Sequence, residues 1–293
     1  MIAVSGLRKA YGDKTVLDGI DLDVPAGTVF SLLGPNGAGK TTTVNVLTTL
    51  MKADGGTVLV AGHDIATEAK AVRAVIGVTG QFAAVDDLLT GEENLQLMAD
   101  LQHLRAGEGK RVVTSLLERF DLVESAQKMA ATYSGGMRRK LDLAMTLVTR
   151  PQIIFLDEPT AGLDPEERAR FRNLLSELSG ERIVIFSTHI VSDIEAIATD
   201  IAILGGGWLL EHAAPEELLR RVEGRVWELV IPSAEVPAAK QKFLISSSAR
   251  RSDGVHVRIV AAERPGAEAE LTAPTLEDAY LHCISSQRAG VVV

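Results

Sequence analysis

The run Gly34-Pro35-Asn36-Gly37-Ala38-Gly39-Lys40-Thr41 constrains this chain more than any other stretch of it. It fits G-x-x-x-x-G-K-[ST], a loop that wraps phosphate. Such a loop needs a strand to deliver the chain and a helix to carry it away. Backbone N–H groups and the helix's positive end then converge on one anion. Thr28-Val29-Phe30-Ser31-Leu32-Leu33 supplies the strand. Lys40 is then a point charge for β- and γ-phosphates, and the Thr41 hydroxyl can ligate Mg²⁺.

The rest of the pattern suits that beginning. Short β-branched runs alternate with longer helical patterns, as in a mostly parallel sheet. Ile153-Ile154-Phe155-Leu156 and Ile183-Val184-Ile185-Phe186 are apolar on both faces, and Ile201 to Leu204 reads alike. Ile2-Ala3-Val4 and Thr57-Val58-Leu59-Val60, near the turn signal Tyr11-Gly12-Asp13, read as antiparallel strands.

From about residue 90 to 150 the pattern is helical. Thr90 and Glu93 make a capping box. Met137, Leu141, Ala144 and Val148 fall on one helix face, and Pro151 is expected to stop that helix. Beyond about residue 222 a strand at Val226 to Val230, a helix at Ala238 to Leu244 and a strand at Val255 to Ile259 are expected. A last helix, capped by Thr275 with Asp278, completes a small α+β appendage.

Composition excludes several classes. A net charge of −9 argues against a nucleic-acid partner. Apolar runs fall short of the roughly 18 residues of a bilayer span, so no direct membrane crossing is expected. Met1 to Gly6 lacks the regions of a signal peptide. Cys283 is the only cysteine, which leaves no internal disulfide and no cysteine zinc cluster and suggests a reducing cytosol. Arg138-Arg139-Lys140 is expected as a solvated basic face, and Trp208 and Trp227 as packing residues.

Asp157 and Glu158 follow the apolar strand at its carboxyl end, where ligands of parallel sheets collect. Asp157 is placed for the Mg²⁺ shell, and Glu158 to orient or deprotonate the attacking water. His189 follows another strand end and could meet a γ-phosphate. Ser134-Gly135-Gly136 opens a second glycine-rich helix start. Taken singly, His189, Ser134-Gly136 and Gln81 also fit a surface histidine, an unliganded cap and a loop glutamine.

In their order these motifs resemble the ATP-binding subunits of ABC transporters, over about residues 2 to 221. By that resemblance Gly34 to Thr41 is the Walker A loop, Gln81 the Q-loop glutamine, and Ser134-Gly135-Gly136 the ABC signature. Asp157-Glu158 looks like Walker B with its catalytic glutamate, Ala161-Gly162-Leu163-Asp164 like the D-loop, and His189 like the switch histidine. The resemblance implies that Gly34, Pro35, Asn36, Gly37, Ala38, Gly39, Lys40, Thr41 and Thr42 hold ATP, with Tyr11 stacked on adenine. Thr41, Gln81 and Asp157 are implied to serve Mg²⁺, and Glu158, His189 and Lys40 the hydrolysis. Ser134, Gly135, Gly136 and Asp164 are implied to meet nucleotide held by a second copy.

The implied fold is an α/β P-loop NTPase cassette with a mostly parallel core sheet, an antiparallel β subdomain and a helical insertion. Residues 1–221 would form the cassette, its helical subdomain at about 85–150, and residues 222–293 the appendage. Tyr133 and Met137 stand where Leu and Gln are frequent. With Val78 to Asp86 and Pro274 to Asp278, they are similar to the daunorubicin-resistance branch. That branch implies a homodimer, cytoplasmic and peripheral on the inner face of the cell membrane. It would energise a separate multi-spanning permease that exports drug-like or lipid-like molecules. Importer subunits and soluble ABC ATPases of translation or DNA repair share the core motifs. The soluble relatives usually carry two cassettes or a long coiled coil, and this chain has one cassette and no heptad run.

Overall fold

The structure, a computed structural model, describes residues 1–80, 84–180 and 182–288. The chain opens as an antiparallel hairpin, β1 (Ile2–Tyr11) and β2 (Lys14–Val24). Strand β3 (Val29–Leu33) then runs into the glycine-rich loop and α1 (Lys40–Leu47). β4 (Gly55–Val60) and the short β5 (His63–Asp64) rejoin the hairpin, with Ile2 opposite Val60. α2 (Ala69–Val75) and β6 (Ile76–Thr79) precede three helices, α3 (Gly91–Leu101), α4 (Ala106–Arg119) and α5 (Gly135–Thr146). There follow β7 (Ile153–Asp157), α6 (Pro165–Leu178), β8 (Ile183–Thr188), α7 (Val191–Glu195), β9 (Asp200–Gly205), β10 (Trp208–Ala213) and α8 (Pro215–Arg221). The remainder is β11 (Val226–Ile231), α9 (Val236–Lys242), β12 (Leu244–Arg251), β13 (Gly254–Val260), β14 (Glu270–Leu271) and α10 (Leu276–Arg288).

The central sheet has the order β10-β9-β3-β8-β7-β6, parallel except for the β10 edge. Every residue of β3, β7 and β8 is buried, because both faces of the sheet are covered. The period-two alternation of a strand sorts them. Ile153 and Phe155 face the β1–β2–β4 subdomain and α1, with Phe30, Leu32, Val44 and Leu47. Ile154 and Leu156 face the helices, with Leu141, Ala144, Phe171 and Leu175. β3, β7 and β8 end at the loops that carry Gly34, Glu158 and His189, so three functional segments emerge at one edge.

The helical stretch forms where expected, and the capping box at Thr90 and Glu93 is complete. Three local expectations are corrected. α5 ends at Thr146, before Pro151: the bonds tighten to turns, Val148 N–H to Met145 O and Arg150 N–H to Leu147 O, and Arg150 then takes φ 53°. Leu244 begins β12, opposite Val260, and does not end a helix. Trp208 is 50% exposed at the β9–β10 turn, so it is no core residue.

Residues 222–288 form a sheet of order β12-β13-β11-β14 over a small cluster of Ile231, Val255, Val257 and Ile259. Leu229, Val236, Phe243 and Ile245 pack against that cluster, while other apolar residues of the segment belong elsewhere. Val222, Val226, Val260, Leu276, Ala279 and Ile284 join the cluster that contains Leu156 and Phe186. A fully buried side chain of Leu or Ile size contributes about 1.5–3 kcal/mol. Burial of Leu276, Ala279 and Ile284 thus ties α10 to the cluster beneath the central sheet.

Candidate functional site

The loop after β3 is shaped by two glycines whose φ angles, 80° at Gly37 and 105° at Gly39, lie in the left-handed region. Gly34 lies against the backbone of β9, where a Cβ would collide with Leu204 O. Asn36 and Gly37 form the exposed tip, while Ala38, Gly39 and Lys40 are buried. Ala38 N–H donates to Pro35 O at 3.1 Å, and the Thr43 hydroxyl donates to Gly39 O at 3.0 Å. Thr41 and Thr42 lie in the first turn of α1, exposed and half-buried respectively.

Lys40 folds back on this loop. Its Nζ donates to Gly34 O at 2.7 Å and Pro35 O at 3.2 Å, and lies 3.9 Å from Glu158 Oε1. Burial pushes the Lys40 pKa down, and the nearby Glu158 and Asp157 carboxylates act against that. The cation is thus pre-placed beside the carboxylates that follow β7.

Asp157 is buried, and its Oδ1 accepts from the Thr41 hydroxyl at 3.4 Å and from the Ser187 hydroxyl. Ser187 was not anticipated. The signal lay in the register: β7 and β8 pair Asp157 with Ser187, a hydroxyl ending an apolar run.

Glu158 has φ 49°, a conformation that costs a residue with a side chain about 1–3 kcal/mol unless its surroundings hold it. Its N–H donates to Ser187 O at 3.1 Å and to Ser187 Oγ at 3.3 Å. Its carboxylate lies 3.0 and 3.1 Å from His189 Nδ1. Lys40, Thr41, Asp157, Glu158 and His189 therefore meet at one place.

Ser134, Gly135 and Gly136 stand at the start of α5, with the Ser134 hydroxyl accepting from Met137 N–H at 3.2 Å. The same hydroxyl and Gly136 N–H donate to Glu167 Oε1 of α6, each at 3.2 Å. Asp164 caps α6 by accepting from Glu167 N–H at 2.8 Å. Among the described residues no hydrogen bond or ion pair joins Ser134–Gly136 to the Lys40 loop. Within one chain the two helix starts are separate.

The basic run corrects an expectation. Arg138 pairs with Asp87 and Lys140 with Asp121 near the surface, but Arg139 is buried. Arg139 donates to Pro159 O at 2.8 Å, Gly80 O at 3.1 Å, Asp157 O at 3.2 Å and Asp142 Oδ2 at 3.3 Å. Burial pushes Asp142 up, while Ala84 N–H and Arg139 pull it down. Side-chain charge alone suggested solvent; four acceptors on three segments decide otherwise.

Tyr11 ends β1, 48% exposed, with Lys9 Nζ 5.8 Å from its ring centroid and its hydroxyl 2.9 Å from Met51 Sδ. Gln81 lies outside the described residues.

Residues 17–161 match the family model described as ABC transporter. The chain is similar to the daunorubicin resistance ATP-binding protein DrrA3 of Streptomyces coeruleorubidus, 40% identical over 98% of this chain and 96% of that protein. The Nod factor export ATP-binding protein I of Ralstonia nicotianae is 36% identical over 75% of this chain and 68% of its own length. Among solved structures, cbiO1 of Clostridium perfringens, part of the transporter complex cbiONQ, superposes with TM-score 0.68 at 26% identity, covering 75% of this chain and 93% of that one. A dimeric, post-hydrolysis ATP-binding cassette bound to ADP and Pi superposes with TM-score 0.66 at 25% identity, covering 73% and 98%.

Proposed function

The chain belongs to the ATP-binding subunits of ABC transporters, and from that premise we propose that it energises export of a drug-like or lipid-like molecule through a separate multi-spanning permease. It binds and hydrolyses ATP. The relatives named for daunorubicin resistance and Nod factor export support the outward direction. Among the described residues no helix is long and apolar enough to cross a membrane, which suits a subunit held at the inner face by its permease.

The convergence of Lys40, Glu158 and His189 carries the mechanistic reading. ATP phosphates occupy the loop from Gly34 to Thr42, and Lys40 turns from Gly34 O to the β- and γ-phosphates. Glu158 takes the proton of the attacking water, and His189 Nδ1 holds both oxygens of that carboxylate. The Thr41 hydroxyl and Asp157 carboxylate, 3.4 Å apart, are the hard oxygen donors Mg²⁺ prefers when phosphates and waters complete its shell. Mg²⁺ there would neutralise charge on the transferred phosphate. Two copies enclose each nucleotide between the Lys40 loop of one and Ser134–Gly136 of the other. Hydrolysis then shifts the population from closed to open dimers.

Replacing Glu158 by Gln tests this reading. The side chain keeps its shape and loses its base, so turnover should collapse while ATP still drives dimerisation. Steady-state ATPase activity at the wild-type rate would remove Glu158 from the mechanism.

A further inference from the structure

Glu158 combines the proposed hydrolytic carboxylate with an unfavourable backbone. Its φ of 49° is uncommon for any residue with a Cβ, and Pro159 after it biases the position toward extended conformations. Such a conformation persists only where neighbours over-determine it. Two neighbours do so.

The peptide plane between Asp157 and Glu158 sets φ at Glu158, and it is held at both ends. Its N–H donates to Ser187 O at 3.1 Å, and its carbonyl, Asp157 O, accepts from Arg139 Nη2 at 3.2 Å. Beyond Glu158, Pro159 O accepts from Arg139 Nε at 2.8 Å. One guanidinium thus grips the carbonyls on either side of the strained residue. Its remaining nitrogen, Nη1, reaches Gly80 O at 3.1 Å and Asp142 Oδ2 at 3.3 Å. Asp142 balances the buried charge and accepts from Ala84 N–H at 3.0 Å.

We infer that Arg139 is a positioning residue for hydrolysis: from α5 it locks Glu158 in the left-handed conformation that aims its carboxylate at Lys40 and His189. The inference rests on the proposed role of Glu158. Arginine suits the task because Nε and Nη2 present two donors along one rigid edge, which matches two carbonyls. A lysine ammonium carries no such fork. Arg139 touches neither the Gly34–Lys40 loop nor Tyr11, so its effect should fall on turnover rather than on ATP affinity.

The test compares wild type, Arg139→Gln and Arg139→Lys as full chains. Thermal unfolding first establishes a temperature at which each is folded, and kcat, KM for ATP and ATP-driven dimerisation are then measured. Arg139→Gln should lose roughly tenfold or more in kcat, with KM and dimerisation within about twofold of wild type. Arg139→Lys should fall between them; if the glutamine variant does not fold, the lysine variant decides. A wild-type kcat in a folded variant overturns the inference. So does a fall in kcat matched by equal losses in ATP affinity and dimerisation, which is general loosening. A Glu158→Gln control separates the two readings. Undiminished turnover in that control defeats the role of Glu158, whereas a dead control beside a normal Arg139→Gln protein defeats the positioning role alone.

Discussion

The Glu167 carboxylate seats on Gly136: its Oε1 accepts from Gly136 N–H at 3.2 Å and from the neighbouring Ser134 hydroxyl at the same distance. A side chain of α6 thus supplies the anion that the start of α5 attracts. In the proposed dimer, the γ-phosphate held by the other copy needs those donors, so Glu167 must leave them.

Glu167→Gln removes the competing charge. A charge at a helix terminus is worth about 0.3–1 kcal/mol, so the ATP concentration for half-maximal dimerisation should fall about two- to fivefold. Light scattering against ATP concentration checks this, and a higher requirement would show that Glu167 aids closure.

Lys40→Ala and Gly136→Asp should each be inactive alone. A Cβ at Gly136 already collides with the Glu167 carboxylate, so the aspartate displaces one anion and installs another. A mixed dimer has one site with both lesions and one with neither. Mixing should restore ATP-dependent closure if sites are shared between copies. Mixed dimers that form, shown by differential tagging, yet never close would contradict sharing.

Tyr11→Ala should raise KM for ATP about two- to tenfold, the equivalent of about 0.5–1.5 kcal/mol of ring stacking, with kcat unchanged. Tyr11→Phe keeps the ring and loses only the hydroxyl contact with Met51, so it should behave as wild type. Identical wild-type kinetics in both variants would separate Tyr11 from adenine.

Asp278 gives an acid-stability prediction. Burial pushes its carboxyl up, but hydrogen bonds from Arg258, Ser246 and Thr275 outweigh burial and leave the pKa below the ordinary aspartate value. A depressed folded pKa means the stabilisation is full above the ordinary value and is lost as pH falls through the folded one. Asp278→Asn should cost about 1–3 kcal/mol at neutral pH and flatten the decline of Tm on acidification. Parallel acid limbs for the two proteins would refute the assignment.

The elements around the site were legible because they follow local rules. Lys40 and Thr41 sit where a strand, a glycine-rich turn and a helix put them, and Asp157 and Glu158 end an unbroken apolar run. What escaped depends on pairing across the fold. Arg139 is charged in sequence and buried in space, because its acceptors come from the ends of β6 and β7. Glu167 lies far along the chain from Gly136. β12 escaped because Ser247 to Arg251 are exposed, so no buried alternation marks it. Gln81 is marked by its motif alone and lies outside the described residues.

The last helix and the phosphate loop share a neighbour in β9. Gln287 Nε2 of α10 donates to Gly205 O at 2.9 Å, and a Cβ at Gly205 would meet the Gln287 and Leu210 side chains. Its neighbour Leu204 presses its carbonyl against Gly34, which has no room either. The Leu204–Gly34 contact is backbone on backbone, whereas α10 reaches Gly205 through a glutamine side chain. β9 thus touches α10 at Gly205 and the phosphate loop at Leu204, so two consecutive residues of one strand border both.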